Sequence, residues 1–186
     1  MPVQSRSLAN AHAAARAAVF AEQDSHISQI LYSQLYGSLA AETKSLVRTS
    51  IQLYVRERKT DLQFSDYSFI VFPMAKAYEG FLKQYLVEVR LLSLDDYHDR
   101  RFRIGRALNP DVNHNQRDEQ WLYDDITRLC SGRVGRLLWD TWLQCRNQIF
   151  HFFPDNPQQL SLAKAGEYVL LIHSAMGEAR RCQRQA

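Results

Sequence analysis

The sequence predicts an all-α protein, a single-domain helical bundle of about six to seven helices. Apolar residues recur at intervals of three and four along most of the chain, which is the period of a helix with one buried face. Only 7 Gly and 5 Pro occur in 186 residues, so few positions interrupt long helices. A chain of this length buries enough surface for one ordinary domain. We therefore expect a single domain spanning residues 1–186.

The N-terminal part predicts two helices. An Ala-rich run from Ser7 to about Gln23 has high helix propensity but only a thin apolar face. We therefore expect residues 1–23 to form a helical arm that is loosely held by the rest of the domain. Asp24 or Ser25 is expected to cap a second, short helix, which stops at Gly37.

The next two helices have stronger patterns. A third helix is expected to end near Lys59, because basic residues crowd its last turn and suit the helix dipole. Ser65 or Asp66 is expected to open the fourth helix, which has the strongest apolar stripe and runs to about Leu92. Pro73 falls in an early turn of this helix or kinks it there, because proline has no amide hydrogen to donate.

The C-terminal half predicts three further helices after a polar connection. Residues 93–115 are expected to form a loop with a short helical piece. The helices are expected at Trp121–Leu129, from about Leu137 to His151, and at Ser161–Arg181. The middle one should stop within a residue or two of His151, because Pro154 disfavours helical angles in the residue before it.

Composition limits the classes of function. The formal net charge is +3, with 18 Arg and only 5 Lys, and guanidinium groups make the paired bonds to phosphate that ammonium groups cannot make. The three cysteines, Cys130, Cys145 and Cys182, have no Cys-x-x-Cys spacing, so we expect reduced thiols and neither a disulfide framework nor a zinc site. No signal peptide or membrane-spanning run is visible, which predicts a cytoplasmic protein without membrane contact.

No cofactor or metal site is expected from the sequence. A glycine-rich phosphate loop is absent from it. Asp95, Asp96 and His98 would make a metal-binding group only if the fold brought them together. Cys145 lies in an apolar helix, which argues against the lowered pKa that a cysteine nucleophile needs.

The strongest functional signal is the segment Trp142–His151, which carries Arg146, Asn147 and His151 near the end of a predicted helix. This order of an arginine, a polar residue, three further residues and a histidine resembles the signature of HEPN nucleases. The resemblance implies a helical domain in which Arg146 and His151 are at the centre of the active site.

A second feature is Glu79, which interrupts the apolar stripe of the predicted fourth helix. A buried carboxylate without a partner would cost several kcal/mol, so we expect a cation such as Arg146 to pair with it. The segment Ala77–Lys83 resembles the corresponding helix in the catalytic domain of the RNase LS type of toxin, and the resemblance covers roughly residues 66–153. In that family a glutamate on this helix joins the arginine and histidine of the later motif.

The resemblance implies an RNA endonuclease that acts as a homodimer, with the two motifs facing across the interface, and that is held off by an antitoxin protein. Such a reaction needs no metal, because the 2′-hydroxyl of RNA can attack its own neighbouring phosphate. His151 would move the protons and Arg146 would stabilise the charged transition state. Asn147 would orient the phosphate or the imidazole, and Glu79 would hold Arg146 in place.

The spacing of the motif sets a geometric condition. Five positions along an ideal helix turn through roughly 500°, which leaves the side chains of Arg146 and His151 about 140° apart. The two groups can converge only if the helix loosens at His151, if the long arginine reaches around, or if a second subunit completes the site.

Each of these groups also has a purely structural interpretation. Arg146 and Glu79 can form a buried ion pair with no catalytic role, and His151 can be a core histidine among aromatic neighbours. Lys83 follows Glu79 by four positions, which favours a helical ion pair. If these structural interpretations hold, the alternative function is that of a catalytically silent HEPN module, which binds a partner protein or a nucleotide.

Basic residues outside the motif are candidates for contacts to RNA. The run from Arg100 to Arg106 mixes cations with apolar residues, as RNA-binding segments do. The candidates are Lys83, Arg101, Arg103 and Arg106. The alternative for the run is a solvated loop face balanced by the acidic residues Asp95, Asp96 and Asp99.

Overall fold

A computed structural model of the chain describes residues 20–151, 154 and 159–183, and the all-α prediction is confirmed for them. The predicted arm, residues 1–23, lies outside the described residues except for its last four positions. None of the helices in this part of the chain is long and apolar enough to span a bilayer.

Ten helices follow one another along the described residues. Short 3₁₀ turns occupy Ile30–Tyr32 and His114–Gln116, and a π-helical turn occupies Leu143–Asn147. The helices are α1 (20–29), α2 (Gln34–Ser38), α3 (Ala41–Lys59), α4 (Ser68–Glu88), α5 (Leu94–His98), α6 (Ile104–Leu108), α7 (Tyr123–Leu129), α8 (Gly132–Trp142), α9 (Gln148–Phe150) and α10 (Leu162–Gln183).

Helix α4 is the centre of the bundle. It packs against α3 and α10 along its length and also contacts α5, α6 and the π-helical turn. Residues on most sides of α4 are therefore buried, including Val71, Met74, Phe81 and Leu86. Pro73 lies inside the helix, in its second turn, as its position in the sequence predicts.

Buried tyrosine hydroxyls connect this core to the helices around it. Tyr78 of α4 donates to the backbone carbonyl of Leu138 in α8, at 3.0 Å. Tyr54 of α3 donates to Asp24 of α1 at 2.9 Å, and burial, followed by the bond to Asp24, raises the pKa of this hydroxyl far above its ordinary value. The hydroxyls of Tyr54 and Tyr78 thus each have a partner, which offsets the cost of burying a polar group.

The predicted boundary between the first two helices is wrong. Asp24 and Ser25 lie inside α1, which is continuous over residues 20–29. The carboxylate of Asp24 binds Tyr54 and the guanidinium of Arg58 at 3.0 Å, so it supports packing between helices instead of capping one. The break in the chain comes later, where Ser33 accepts a hydrogen bond from the amide of Tyr36 and caps α2.

The predicted helix ends in the middle of the chain are more accurate. Helix α3 ends at Lys59, as expected. Helix α4 begins at Ser68 and ends at Glu88, so it is shorter at both ends than the apolar pattern predicts. Ser131 follows the end of α7, and it also caps the start of α8, because its side chain accepts a hydrogen bond from the amide of Val134.

The expectation of three reduced thiols is also wrong, because Cys130 and Cys182 form a disulfide bond. Their Cα atoms are 5.5 Å apart although they are separated by 52 positions in the sequence. Cys130 follows the last residue of α7 and Cys182 lies in the last turn of α10. The bond therefore ties the end of one helix to the end of another, a pairing that sequence spacing does not reveal.

We predict that removing this bond destabilises the domain by about 2–4 kcal/mol, because it closes a loop of 52 residues in the unfolded chain. Urea unfolding of the oxidised protein, with and without a thiol reductant, measures the difference. The Cys130→Ser/Cys182→Ser double variant is the control and should show no further effect of reductant. Equal unfolding midpoints for the oxidised and reduced wild type would contradict the prediction.

Candidate active site

The predicted motif lies where helix α8 changes its winding and then ends. In the π-helical turn the amide of Gln148 donates to the carbonyl of Leu143, five residues earlier, instead of four. Helix α9 adds one α-helical turn and ends at Phe150. His151 has left the helical angles, with φ −109° and ψ 136°. The predicted helix end at His151 is therefore confirmed, and its side-chain direction is no longer set by the helix.

Trp142 fixes the base of this turn in the core. Its ring packs against the ring of Tyr78, with the centroids 6.4 Å apart. On its other side it touches the backbone of Gly105 so closely that a Cβ atom there would lie 2.6 Å from Trp142 Nε1. A glycine is required at this position by the close approach, and Trp142 has little freedom to move.

Arg146 and Asn147 are brought together on this base. The guanidinium of Arg146 lies over the ring of Trp142, 5.3 Å from its centroid, an arrangement that favours a cation. Arg146 Nη1 also donates to Asn147 Oδ1 at 3.4 Å. Both side chains are half-buried, whereas His151, at the end of the same helical segment, is exposed. An exposed His151 excludes the core-histidine interpretation.

The predicted ion pair between Glu79 and Arg146 does not form. Glu79 is only half-buried, and among the described residues it has no ion pair with Arg146 or with Lys83. The helical ion pair with Lys83 and the purely structural pair with Arg146 are therefore wrong as well. The prediction failed because the apolar stripe of α4 does not mark a single buried face, since core residues surround most of the helix.

One face of α4 remains open, and Glu79 belongs to it. The residues on it follow at steps of four, three and four, the spacing of one helix face: Phe72, Lys76, Glu79 and Lys83. Phe72, which the sequence pattern assigns to the core, is 51% exposed. It makes an edge-to-face contact with Phe150, with the ring centroids 5.3 Å apart. This contact places the open face of α4 beside Phe150, the residue directly before His151.

Sequence reasoning missed Phe72 and Lys76 as neighbours of the motif. A usable signal is present in the sequence, because Lys76, Glu79 and Lys83 are polar at helical spacing and mark the side of α4 that faces away from the core. Phe72 lies on the same side, one turn before Lys76. The contact with Phe150, by contrast, depends on how α4 and α9 pack, which no local pattern specifies.

Two of the four predicted RNA-contacting residues lie in accessible settings. The side chain of Arg101 is 92% exposed, and its Nε lies 3.6 Å from the carboxylate of Asp99. Lys83 is half-buried, with its Nζ 5.5 Å from the centre of the Phe102 ring. Because Phe102 belongs to the basic run, this contact brings one part of the run next to Lys83 on the open face of α4.

The other two predicted RNA contacts have partners within the chain. Arg106 donates to Asp118 Oδ2 at 2.7 Å, and the bond lowers the pKa of that carboxyl. Arg103 donates to the backbone carbonyls of Arg100 and Phe102. The sequence predicted that Asp95, Asp96 and Asp99 balance the positive charge of this run. Of these three only Asp99 forms an ion pair with it, at Arg101. Arg106 pairs with Asp118 instead.

Cys145 lies in the π-helical turn next to Arg146 but faces the core. Burial raises the pKa of its thiol to about 12, which agrees with the expectation that it is not a nucleophile. The proposed trio of Asp95, Asp96 and His98 does not converge, because the part of the chain that the structure describes contains no group of three potential metal ligands.

We predict that Gly105→Ala destabilises the protein by about 1–3 kcal/mol, because the new Cβ would overlap Trp142 and overpack the core. The matched control is Gly177→Ala in α10, where a Cβ meets no atom within 4 Å. That variant should be more stable than the wild type by about 0.5–1 kcal/mol, since alanine is the better helix residue. Thermal and urea unfolding measure both, and similar effects of the two variants would refute the role given to Gly105.

We also predict that the native, oxidised protein does not react with iodoacetamide at pH 8. The raised pKa of Cys145 leaves almost no thiolate at that pH, and Cys130 and Cys182 are in the disulfide. After denaturation without reductant one thiol per chain should be labelled, as mass spectrometry will show. Rapid labelling of Cys145 in the native state would contradict its burial.

The comparisons with known proteins do not identify a family. No protein-family model matches the chain, no curated protein is similar to it, and no solved structure matches it. The resemblance to HEPN nucleases therefore stays a prediction, which rests on the residues of the motif.

Proposed function

We propose that the protein is a HEPN-type ribonuclease that cleaves single-stranded RNA without a metal, through attack of the 2′-hydroxyl on the adjacent phosphate. The observation that carries the proposal is the arrangement at the end of the α8–α9 segment. There a guanidinium and an amide are in contact, and an exposed imidazole follows where the helix ends.

The chemistry of these groups suits the reaction. An imidazole is the side chain most often used as a general acid or base, and that of His151 is exposed and accessible to a substrate. Arg146 is held by Trp142 and Asn147 and by no carboxylate among the described residues, so its charge is not neutralised by an ion pair. It can therefore stabilise the additional negative charge of the transition state. A bracing role for Glu79 is not part of the proposal, because Glu79 does not reach Arg146.

The proposal also extends to the biological setting of the protein. By its resemblance to the RNase LS type, the protein acts as the toxin of a toxin-antitoxin or defence system, as a homodimer in the cytoplasm. Disulfides rarely persist in a reducing compartment, so the bond between Cys130 and Cys182 is the observation that counts against the cytoplasmic part of this proposal. The homodimer and the antitoxin stay predictions.

A second function is favoured by one observation. Arg146 is half-buried against Trp142 and bonded to Asn147, which is also how a structural arginine is held. In a catalytically silent module that binds a partner protein or a nucleotide, Arg146→Ala would lower the stability of the protein. Such a module would not cleave RNA either with or without this substitution. Activity measurements therefore separate the two functions.

We predict that the purified protein cleaves single-stranded RNA in the presence of EDTA and leaves 2′,3′-cyclic phosphate ends. His151→Ala should lower the rate by about 100-fold or more, as expected for the loss of a general acid or base. Arg146→Ala should have a comparable effect on kcat. The measurement is the initial rate on a labelled oligoribonucleotide, with product ends identified by mass spectrometry.

Two controls make this test specific. His26 is an exposed histidine on α1, and His26→Ala should cleave at the wild-type rate. An all-deoxy oligonucleotide of the same sequence should remain intact, because it lacks the attacking hydroxyl. Equal rates for the wild type and His151→Ala would remove the proposed mechanism.

A further inference from the structure

The open face of α4 ends in an aromatic pair next to the proposed active site. Phe72 is half-exposed and its ring meets Phe150 edge to face at 5.3 Å. Phe150 is the last helical residue before His151. The exposed ring of Phe72, backed by the half-buried Phe150, is available to a planar ligand, because no other ring contact occupies Phe72 within the described residues.

A cation lies beside the pair. Lys76 is exposed, one turn after Phe72, and its Nζ is 5.9 Å from the centre of the Phe72 ring. Glu79 is the one acidic side chain on the open face of α4, and it follows Lys76 toward Lys83, away from the aromatic pair. A cation next to exposed rings is the arrangement that binds single-stranded nucleic acid, since the bases stack and the phosphates pair with the cation.

We propose that Phe72 and Phe150, with Lys76 beside them, form a subsite that stacks an unpaired base of the RNA next to the phosphate that is cleaved at His151. The proposal depends on the proposed function only for the position of the cleaved phosphate. Binding of a single strand to the subsite does not require cleavage, so the two can be tested separately.

A second copy of the chain is the competing occupant, and charge disfavours it. In a two-fold interface the same patch faces itself. Two copies of Lys76 would then approach each other around the aromatic pair, where like charges destabilise the contact, so the proposed homodimer leaves this pair outside its interface. A polyanionic strand meets the same cation with the opposite sign of charge.

The test measures binding of a single-stranded DNA oligonucleotide that contains 2-aminopurine to the whole 186-residue chain. The DNA lacks the 2′-hydroxyl and is not cleaved, and stacking of the fluorescent base changes its emission. Phe72→Ala should weaken binding by roughly 5- to 150-fold, the usual effect of losing one stacking side chain. Phe72→Tyr keeps the ring and should bind as the wild type does.

Phe64 provides the matched control. It is 51% exposed, like Phe72, and also makes edge-to-face contacts, with Tyr67 and Phe69. Phe64→Ala should therefore perturb the protein to a similar extent without weakening binding. Equal binding losses in Phe64→Ala and Phe72→Ala would overturn the subsite, as would failure of the wild type to bind the oligonucleotide at low salt.

The role of Lys76 has its own readout. Lys76→Gln should lower the slope of log affinity against log salt concentration by about 0.7, the value for one phosphate contact on a single strand. Lys59→Gln, a change of another exposed helical lysine, should leave the slope unchanged. An unchanged slope for Lys76→Gln would exclude Lys76 from the subsite.

The remaining outcomes separate this subsite from the proposed function and from a dimer interface. If His151→Ala binds the oligonucleotide normally and the wild type cleaves no RNA, the subsite stands and the nuclease proposal fails. If Phe72→Ala cleaves RNA with an unchanged KM, the subsite fails and the nuclease stands. If sedimentation shows that Phe72→Ala converts a dimer into a monomer, the patch is an interface between copies, and the proposal is overturned.

Discussion

The burial of α4 on nearly all sides is the constraint on which the rest of the structure depends. Helices α3 and α10 cover it along its length, and α6 and the π-helical turn cover parts of the remainder. Large side chains such as Tyr78, Phe81 and Tyr85 are fully buried as a result. Since a packed core tolerates few voids, the positions of the surrounding helices follow from the shape of this one helix. Only its outward stripe is left for contacts with other molecules.

The proposed active site depends on that constraint through one residue. Trp142 lies between Tyr78 of α4 and the backbone of Gly105. Its ring in turn carries the guanidinium of Arg146. The π-helical turn follows directly, and such turns are frequent at functional sites because they change the winding of a helix at one point. The position of Arg146 is therefore set by core packing, while the position of His151 is set by the end of the helix.

The distribution of charge distinguishes this site from a buried ion pair. A carboxylate across the bundle would hold Arg146 but would also neutralise it, and the loss of either partner would leave a buried charge. Here an aromatic face and an amide oxygen hold the guanidinium. Such partners orient the cation and leave its charge available to a phosphate. Lys76, beside the pair of Phe72 and Phe150, is exposed, so its charge is likewise available to a phosphate.

Local signals in the sequence determined the helical class of this protein, the end of α3 at Lys59 and the end of the α8–α9 segment before Pro154. Helical periodicity, basic residues in a last turn and a following proline act over a few residues, so a single sequence is enough to interpret them. The sequence also presented Arg146, Asn147 and His151 as a group, because the three lie close together in the chain.

The tertiary structure alone decided that Phe72 meets Phe150, that Glu79 lacks the predicted ion pair and which cysteines are bonded. The apolar stripe placed Phe72 in the core, yet its ring lies half-exposed against Phe150. Cys130 and Cys182 meet across 52 positions, and no local pattern encodes that approach. The physical reason is common to all three: burial, ion pairing and bonding depend on which distant segments become neighbours, and that is settled only when the helices pack together.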